Sequence, residues 1–154
     1  MSEISAIQFT QDQTRTLTGV SVETMRHWRR AIPYLSSKTG KAARYTFADL
    51  LGLAVTHELV NTFGVHIATL SAGVDSLFRL LAASAPASLD GAIVLVTATE
   101  AILCEDPSQA LPKPALMIPL APFITNIQRQ VLPVVPTSNQ TELPFPPEAV
   151  RNRA

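Results

Sequence analysis

The sequence predicts a mainly α-helical protein with a smaller α+β part. Helix-capping residues and turn glycines alternate through the first 64 residues, and a stripe of apolar residues at helical spacing follows. Short β-rich runs then precede one last amphipathic segment. The chain has 154 residues, of which 47% are hydrophobic, so it can form the core of one ordinary domain or of two small ones.

Capping residues predict the first two helices. Thr10 and Gln13 form a capping box, in which two side chains satisfy backbone N–H groups at the start of a helix. Gly19 ends this helix, because glycine readily adopts the left-handed conformation of a helix C-cap. Ser21 caps a second helix, which has to end before Pro33. The result is two helices joined by a tight turn.

A loop and a third helix are expected next. Residues 31–45 contain proline, serine, glycine and several cations, which predicts a hairpin-like loop. Thr46 and Asp49 form a second capping box and begin a helix that extends to about Thr62, and Gly64 breaks it.

The following helix is expected from about Val65 to Ala83. Its apolar residues recur at steps of three and four, at Ile67, Leu70, Val74, Leu77 and Leu81. Such a heptad-like stripe is compatible with packing on the helix's own domain and also with the seam of a dimer. The sequence leaves both alternatives open.

The second half of the chain is expected to form a small α+β module. The expected elements are a linker at 82–89, a β-hairpin of residues 92–97 and 101–104, a proline-rich loop at 107–114, a strand at 116–118 and a helix at 122–132. We therefore predict a head at 1–64, a connecting or dimerisation helix and linker at 65–87, a dimerisation or sensor module at 88–132, and an extended or disordered proline-rich tail at 133–154.

The charge is distributed unevenly, although the chain carries no formal net charge. Residues 13–44 contain seven cations against one acid, Glu23, whereas residues 65–154 contain five cations and seven acids. A basic segment on a neutral or acidic body is typical of a nucleic-acid-binding head.

The second helix has a polar face and an apolar face. Val22, Met25 and Trp28 follow one side and are expected to pack inward, on Leu17 and Val20. The opposite side carries four polar residues at helical spacing: Glu23, Arg26, His27 and Arg30. A duplex major groove admits one helix, and arginine can donate two hydrogen bonds to guanine or to phosphate. The alternative is a solvated cationic surface.

The cations of the following loop are expected to form a phosphate-gripping wing. Lys38, Lys41 and Arg44 come directly after the cationic helix, so they could reach the DNA backbone beside it.

The head resembles the MerR family of transcriptional regulators. The resemblance rests on Leu17-Thr18-Gly19-Val20-Ser21 at the turn, on Thr24, Met25, Arg26 and Trp28 in the second helix, on Arg44-Tyr45-Thr46 with Asp49-Leu50 downstream, and on Gly64. It covers about 60 residues of the chain. It implies a winged helix-turn-helix and a homodimer on an inverted repeat, with Arg26 and His27 in the recognition helix and Arg44 and Tyr45 in a wing that touches the DNA backbone. The expected DNA-binding residues are Arg15, Ser21, Glu23, Thr24, Arg26, His27, Arg29, Arg30, Lys38, Lys41, Arg44 and Tyr45.

Three features depart from the family pattern. The first helix has Gln11, Thr14 and Arg15 where apolar or small residues are usual, so Arg15 must lie at the packing surface or turn outward to phosphate. Arg29 replaces the usual acid after the aromatic residue, and the loop at 36–43 has its own spacing.

The same residues exclude several other classes. Cys104 is the only cysteine, which excludes a disulfide framework and a multi-cysteine zinc site, and it is expected to be buried in a strand. No nucleophile, metal or cofactor motif is present, so we predict no enzyme, cofactor or metal. A leader and a membrane-spanning run are also absent from the sequence, which favours a cytoplasmic, nucleoid-associated protein of bacterial or phage origin.

The predicted function is that of a sequence-specific transcriptional regulator that binds double-stranded DNA as a homodimer and contacts RNA polymerase. One alternative is a phage-type DNA-architectural protein, either a recombination-directionality or a packaging factor. Another is a protein-interaction adaptor with a winged-helix head.

Overall fold

The computed structural model describes residues 6–40, 42–104, 106 and 113–131. These residues form seven helices and one three-stranded antiparallel sheet, so the predicted fold class is confirmed. Lys41, most of the predicted loop at 107–114, the end of the last helix at Leu132 and the tail at 133–154 lie outside the described residues. The helices are α1 (Gln11–Thr18), α2 (Val22–Ala31), α3 (Pro33–Ser36), α4 (Phe47–Asn61), α5 (Ile67–Ala83), α6 (Pro86–Leu89) and α7 (Ala121–Val131), and the strands are β1 (Ile93–Val96), β2 (Ala101–Cys104) and β3 (Leu116–Pro119).

The predicted caps of the head are confirmed. The side chain of Thr10 accepts from the N–H of Gln13, whose side chain answers in the capping box. Gly19 has a φ of 78°, in the left-handed region that only glycine adopts at little cost. Ser21 caps α2. These local interactions set the tight turn between α1 and α2.

The segment between α2 and α4 differs from the prediction. It begins with the one-turn helix α3, in which Pro33 occupies the first position. The fixed φ of proline suits that position, where its missing N–H costs nothing. Further on, Tyr45 pairs with Phe9 in an isolated antiparallel bridge, with N···O distances of 2.8 and 2.9 Å. The strand partner of Tyr45 is therefore Phe9, two residues before α1, and the hairpin-like loop predicted for the whole segment is wrong over α3.

The apolar stripe of α5 faces the interior of its own chain. The stripe residues, from Ile67 to Leu81, are at most 9% exposed and belong to the core that α5 shares with α4 and the sheet. Gly73 allows the hairpin turn to approach α5, since a Cβ at this position would lie 1.9 Å from the carbonyl oxygen of Thr97. The Gly73 N–H also donates to Ala98 O at 3.1 Å. Of the two alternatives for the stripe, the structure favours packing within the chain.

The sheet has the order β2-β1-β3, with β1 in the centre. Val94 of β1 pairs with Leu103 on one side and with Ile118 on the other. Helix α7 continues from β3 and packs on α4, and its Ile124 and Ile127 are 3% and 1% exposed. One continuous apolar core thus includes residues from the head and from the C-terminal part.

Candidate nucleic-acid interface

Two large side chains fix the orientation of α2. Met25 is 0% exposed and Trp28 is 2% exposed, and both belong to the core. Full burial of side chains of this size stabilises by about 2–3 kcal/mol each. Rotation of α2 would expose them, so the opposite side of the helix is held toward solvent.

The solvent side of α2 carries Glu23, Arg26, His27 and Arg30, all exposed. None of these side chains forms a hydrogen bond or an ion pair with another described residue. We call the side chains of Arg26, His27 and Arg30 the recognition face, whose two arginines carry its positive charge. Because no internal carboxylate neutralises it, its charge is available to an external anion.

Ser21 and Thr24 form the cap at the start of α2. The Ser21 hydroxyl accepts from the Thr24 N–H at 3.1 Å and donates to the Thr24 hydroxyl at 2.9 Å. Ser21 is exposed and Thr24 is half-buried. Both predicted contact residues thus lie at the edge of the recognition face, with hydroxyls already engaged in the cap.

Arg29 is bound to a residue of the head's interior. It is half-buried, and its guanidinium donates to the Tyr45 hydroxyl at 3.2 Å, while its buried Nε has no partner among the described residues. Tyr45 itself is 0% exposed. The expected contact between Tyr45 and the DNA backbone therefore does not fit its burial. The Tyr45 hydroxyl instead accepts from Arg29 and donates to Lys38 O at 3.4 Å.

Lys38 is held by a buried carboxylate. Its ammonium lies 3.1 Å from Asp49 Oδ2, and Asp49 is only 1% exposed. The ammonium also donates to Arg44 O at 3.1 Å and lies 5.7 Å from the centre of the Tyr45 ring. The charge of Lys38 is thus paired inside the protein, because Asp49 would otherwise be buried without a cation. Its expected phosphate contact stays a prediction.

Tyr34 joins this network to α5. Its hydroxyl donates to Asp49 Oδ1 at 2.6 Å, and its backbone N–H donates to Asp75 Oδ1 at 2.7 Å. Its ring stacks on Phe78 with the centroids 5.3 Å apart. Burial, followed by the hydrogen bond to Asp49, raises the pKa of Tyr34 above its ordinary value. The network fastens the α3 segment to both long helices.

Residues 9–75 match the family model of MerR HTH family regulatory proteins. This segment is a MerR-type helix-turn-helix domain. The suspected family resemblance of the N-terminal region is thereby confirmed, and the head is that of a DNA-binding regulatory protein. The match begins at Phe9, in the bridge to Tyr45, and ends inside α5. No curated protein and no solved structure is significantly similar to the chain.

The remaining cations of the MerR-type head have mixed environments. Arg15 is 27% exposed, is paired with Asp12 and has a buried Nε without a partner among the described residues. Arg15 is therefore partly covered by the head, while its guanidinium pairs with Asp12, whose side chain is 86% exposed. Arg44 is exposed, and one of its guanidinium nitrogens donates to Ala43 O at 3.1 Å. Lys41 lies outside the described residues.

One residue of the MerR-type head was misplaced by the sequence pattern. Val22 was expected to pack inward with Met25 and Trp28, but it is 40% exposed. Val22 is the first residue of α2, where no preceding helical turn covers its side chain. Its position directly after the cap at Ser21 is the signal that could have revealed this exposure.

Three further kinds of feature concern the described part of the chain: a reactive cysteine, a metal cluster and a membrane-spanning helix. Cys104 is buried at 5% exposure, as predicted. Within the described ranges, no three His, Cys, Asp or Glu side chains lie close enough to hold a metal ion. None of the described helices has both the length and the apolar character needed to span a bilayer.

Proposed function

We propose that the protein is a transcriptional regulator that binds an inverted-repeat DNA site as a homodimer. The observation that carries this proposal is the recognition face: its cations are exposed and unpaired on a helix that Met25 and Trp28 hold rigidly within a MerR-type head. Such a regulator would work on the nucleoid in the cytoplasm and would contact RNA polymerase at promoters.

The chemistry of the recognition face fits the major groove. An α-helix fits its width, and an arginine can donate two hydrogen bonds to O6 and N7 of guanine. Arg26 and Arg30 are four residues apart and exposed, so they share one side of α2. Glu23, one turn before His27, can accept a hydrogen bond from cytosine N4. Ser21 and Thr24 lie where backbone phosphates would flank the helix N-terminus.

A second copy is required because one head buries little surface on DNA. A two-fold dimer doubles the contacts and matches an inverted repeat. The dimer contact would lie outside the α5 stripe, since that stripe is buried within its own chain. We assign dimerisation, sensing or both to the module at 88–132.

Selection of bound duplexes from a random pool tests the proposal directly. We expect enrichment of an inverted repeat whose half-sites lie about 10 base pairs, or a multiple of this, apart. With about 6–10 phosphates neutralised per dimer, affinity should fall about 10³–10⁵-fold between 50 and 200 mM salt.

The same selection separates the alternatives. Salt-dependent binding without any enriched sequence would support an architectural protein and contradict a specific regulator. An absence of duplex binding at low salt would support an adaptor. An enriched single half-site would contradict the homodimer alone.

A further inference from the structure

Val22 stands out as an exposed apolar side chain at the start of α2. It is one of five large hydrophobic residues that are exposed among the described residues, and its relative exposure is 40%. Its chain neighbours Ser21 and Glu23 are exposed as well. The helix thus presents two methyl groups at its N-terminal end, directly beside the recognition face.

We propose that Val22 contacts the C5 methyl group of a thymine in the major groove and so determines specificity at that base. This inference rests on the proposed function, because it requires α2 to enter the groove. Among the four bases, only thymine presents a methyl group at the major-groove edge. A valine cannot donate or accept a hydrogen bond, so an apolar contact is the only means by which its side chain can distinguish bases.

The stiffness of valine suits this role. A β-branched side chain on a helix has one strongly preferred rotamer, so it loses little conformational freedom when it contacts a base. The backbone beneath it is also fixed, since the Ser21 cap holds the first turn of α2. The methyl groups are therefore presented in one position rather than in several.

The spacing along α2 locates the thymine relative to a guanine. Val22 and Arg26 are four residues apart on the helix, which places their Cβ atoms roughly 5–6 Å from each other. Successive bases along a strand are about 3.4 Å apart. If Arg26 grips a guanine, the thymine that Val22 contacts lies within about two base-pair steps of it.

The test uses the duplex enriched by selection, with each thymine replaced in turn by deoxyuridine, which lacks only the methyl group. For the full-length protein we expect one position per half-site at which this replacement weakens binding about fourfold, the factor for one buried methyl group. V22A should bind the thymine duplex about as weakly as the unchanged protein binds the deoxyuridine duplex. Replacing the thymine by deoxyuridine should not weaken the binding of V22A any further.

Ile7 supplies a matched control, because it is also an exposed aliphatic residue, at 37%, and lies outside α2. I7A should retain the full deoxyuridine effect, and thermal melting should show that both variants are folded. Two results would overturn the role of Val22 while leaving DNA binding intact. The first is a deoxyuridine effect that persists in V22A. The second is the absence of any deoxyuridine effect, at every thymine, in the unchanged protein. If no duplex is bound at all, the proposed function fails and this inference fails with it.

Discussion

The two cationic regions of the head look alike in sequence and differ in structure. The recognition face on α2 is exposed, and its cations have no partner among the described residues. In the segment after α2, Lys38 is bound to the buried carboxylate of Asp49. The difference shows that a basic run is not by itself a DNA-binding surface. A cation is available to phosphate or base only if the fold does not need it to neutralise an internal acid.

The largest expected effect comes from the recognition face. In the R26A R30A double variant, operator affinity should fall by about 100-fold or more, because each arginine that grips a guanine contributes about 1–3 kcal/mol. The measurement is a binding titration on the selected duplex, together with a thermal melt. The melting temperature should change little, since both residues are exposed.

Arg79 provides the control for charge alone. It is an arginine on α5 with 59% side-chain exposure and is paired with Asp75. R79A removes one positive charge from α5 rather than from α2, so its operator affinity should stay within a few-fold of the unchanged protein. An equal loss of operator affinity in R79A and in the double variant would contradict a special role of the recognition face. An unfolded double variant would contradict the exposure of Arg26 and Arg30.

The next effect is on stability and comes from Lys38. K38A leaves the buried Asp49 carboxylate without its cation, so the free energy of unfolding should fall by about 2 kcal/mol, a value discounted because Lys38 is partly exposed. Denaturant unfolding measures this change. The folded variant should keep its dependence of DNA affinity on salt, and a flatter dependence would show that Lys38 contacts phosphate after all.

A smaller effect is expected from the wing. Replacing Lys41 and Arg44 together by alanine should weaken binding to all duplexes alike, by about tenfold at low salt, and should lower the salt slope by up to about two. Titrations of the selected duplex and of a scrambled one at several salt concentrations measure both quantities. A change in the preferred sequence would instead mean that the wing contacts bases.

The smallest effect concerns pH. The folded state raises the pKa of Tyr34, so above about pH 10 the unfolded chain releases this proton while the folded protein still holds it. The stabilising contribution is present below that pH and is lost as the pH rises. The unfolding free energy of the unchanged protein should therefore fall more steeply between pH 9.5 and 11 than that of Y34F, as measured by denaturant titration. Identical slopes would contradict a buried Tyr34–Asp49 hydrogen bond.

Local interactions made much of the head predictable from the sequence. Helix caps and turns involve residues three or four positions apart, so the local sequence suffices to predict them. This applies to the capping boxes at Thr10 and Thr46, the cap at Ser21 and the turn at Gly19. Helical periodicity likewise identified Met25 and Trp28 as the buried side of α2 and placed Arg26 and Arg30 opposite.

Tertiary structure decided which side chains remain available. Lys38 meets Asp49 across 11 positions, Arg29 meets Tyr45 across 16, and Tyr34 meets Asp75 across 41, and no local pattern encodes such partners. The same holds for the α5 stripe, whose periodicity predicts an apolar face but not the surface that covers it. The sequence by itself determined the helices and their faces, because those depend on short-range geometry. Packing alone determined which charges are neutralised, because that depends on residues brought together by the whole fold.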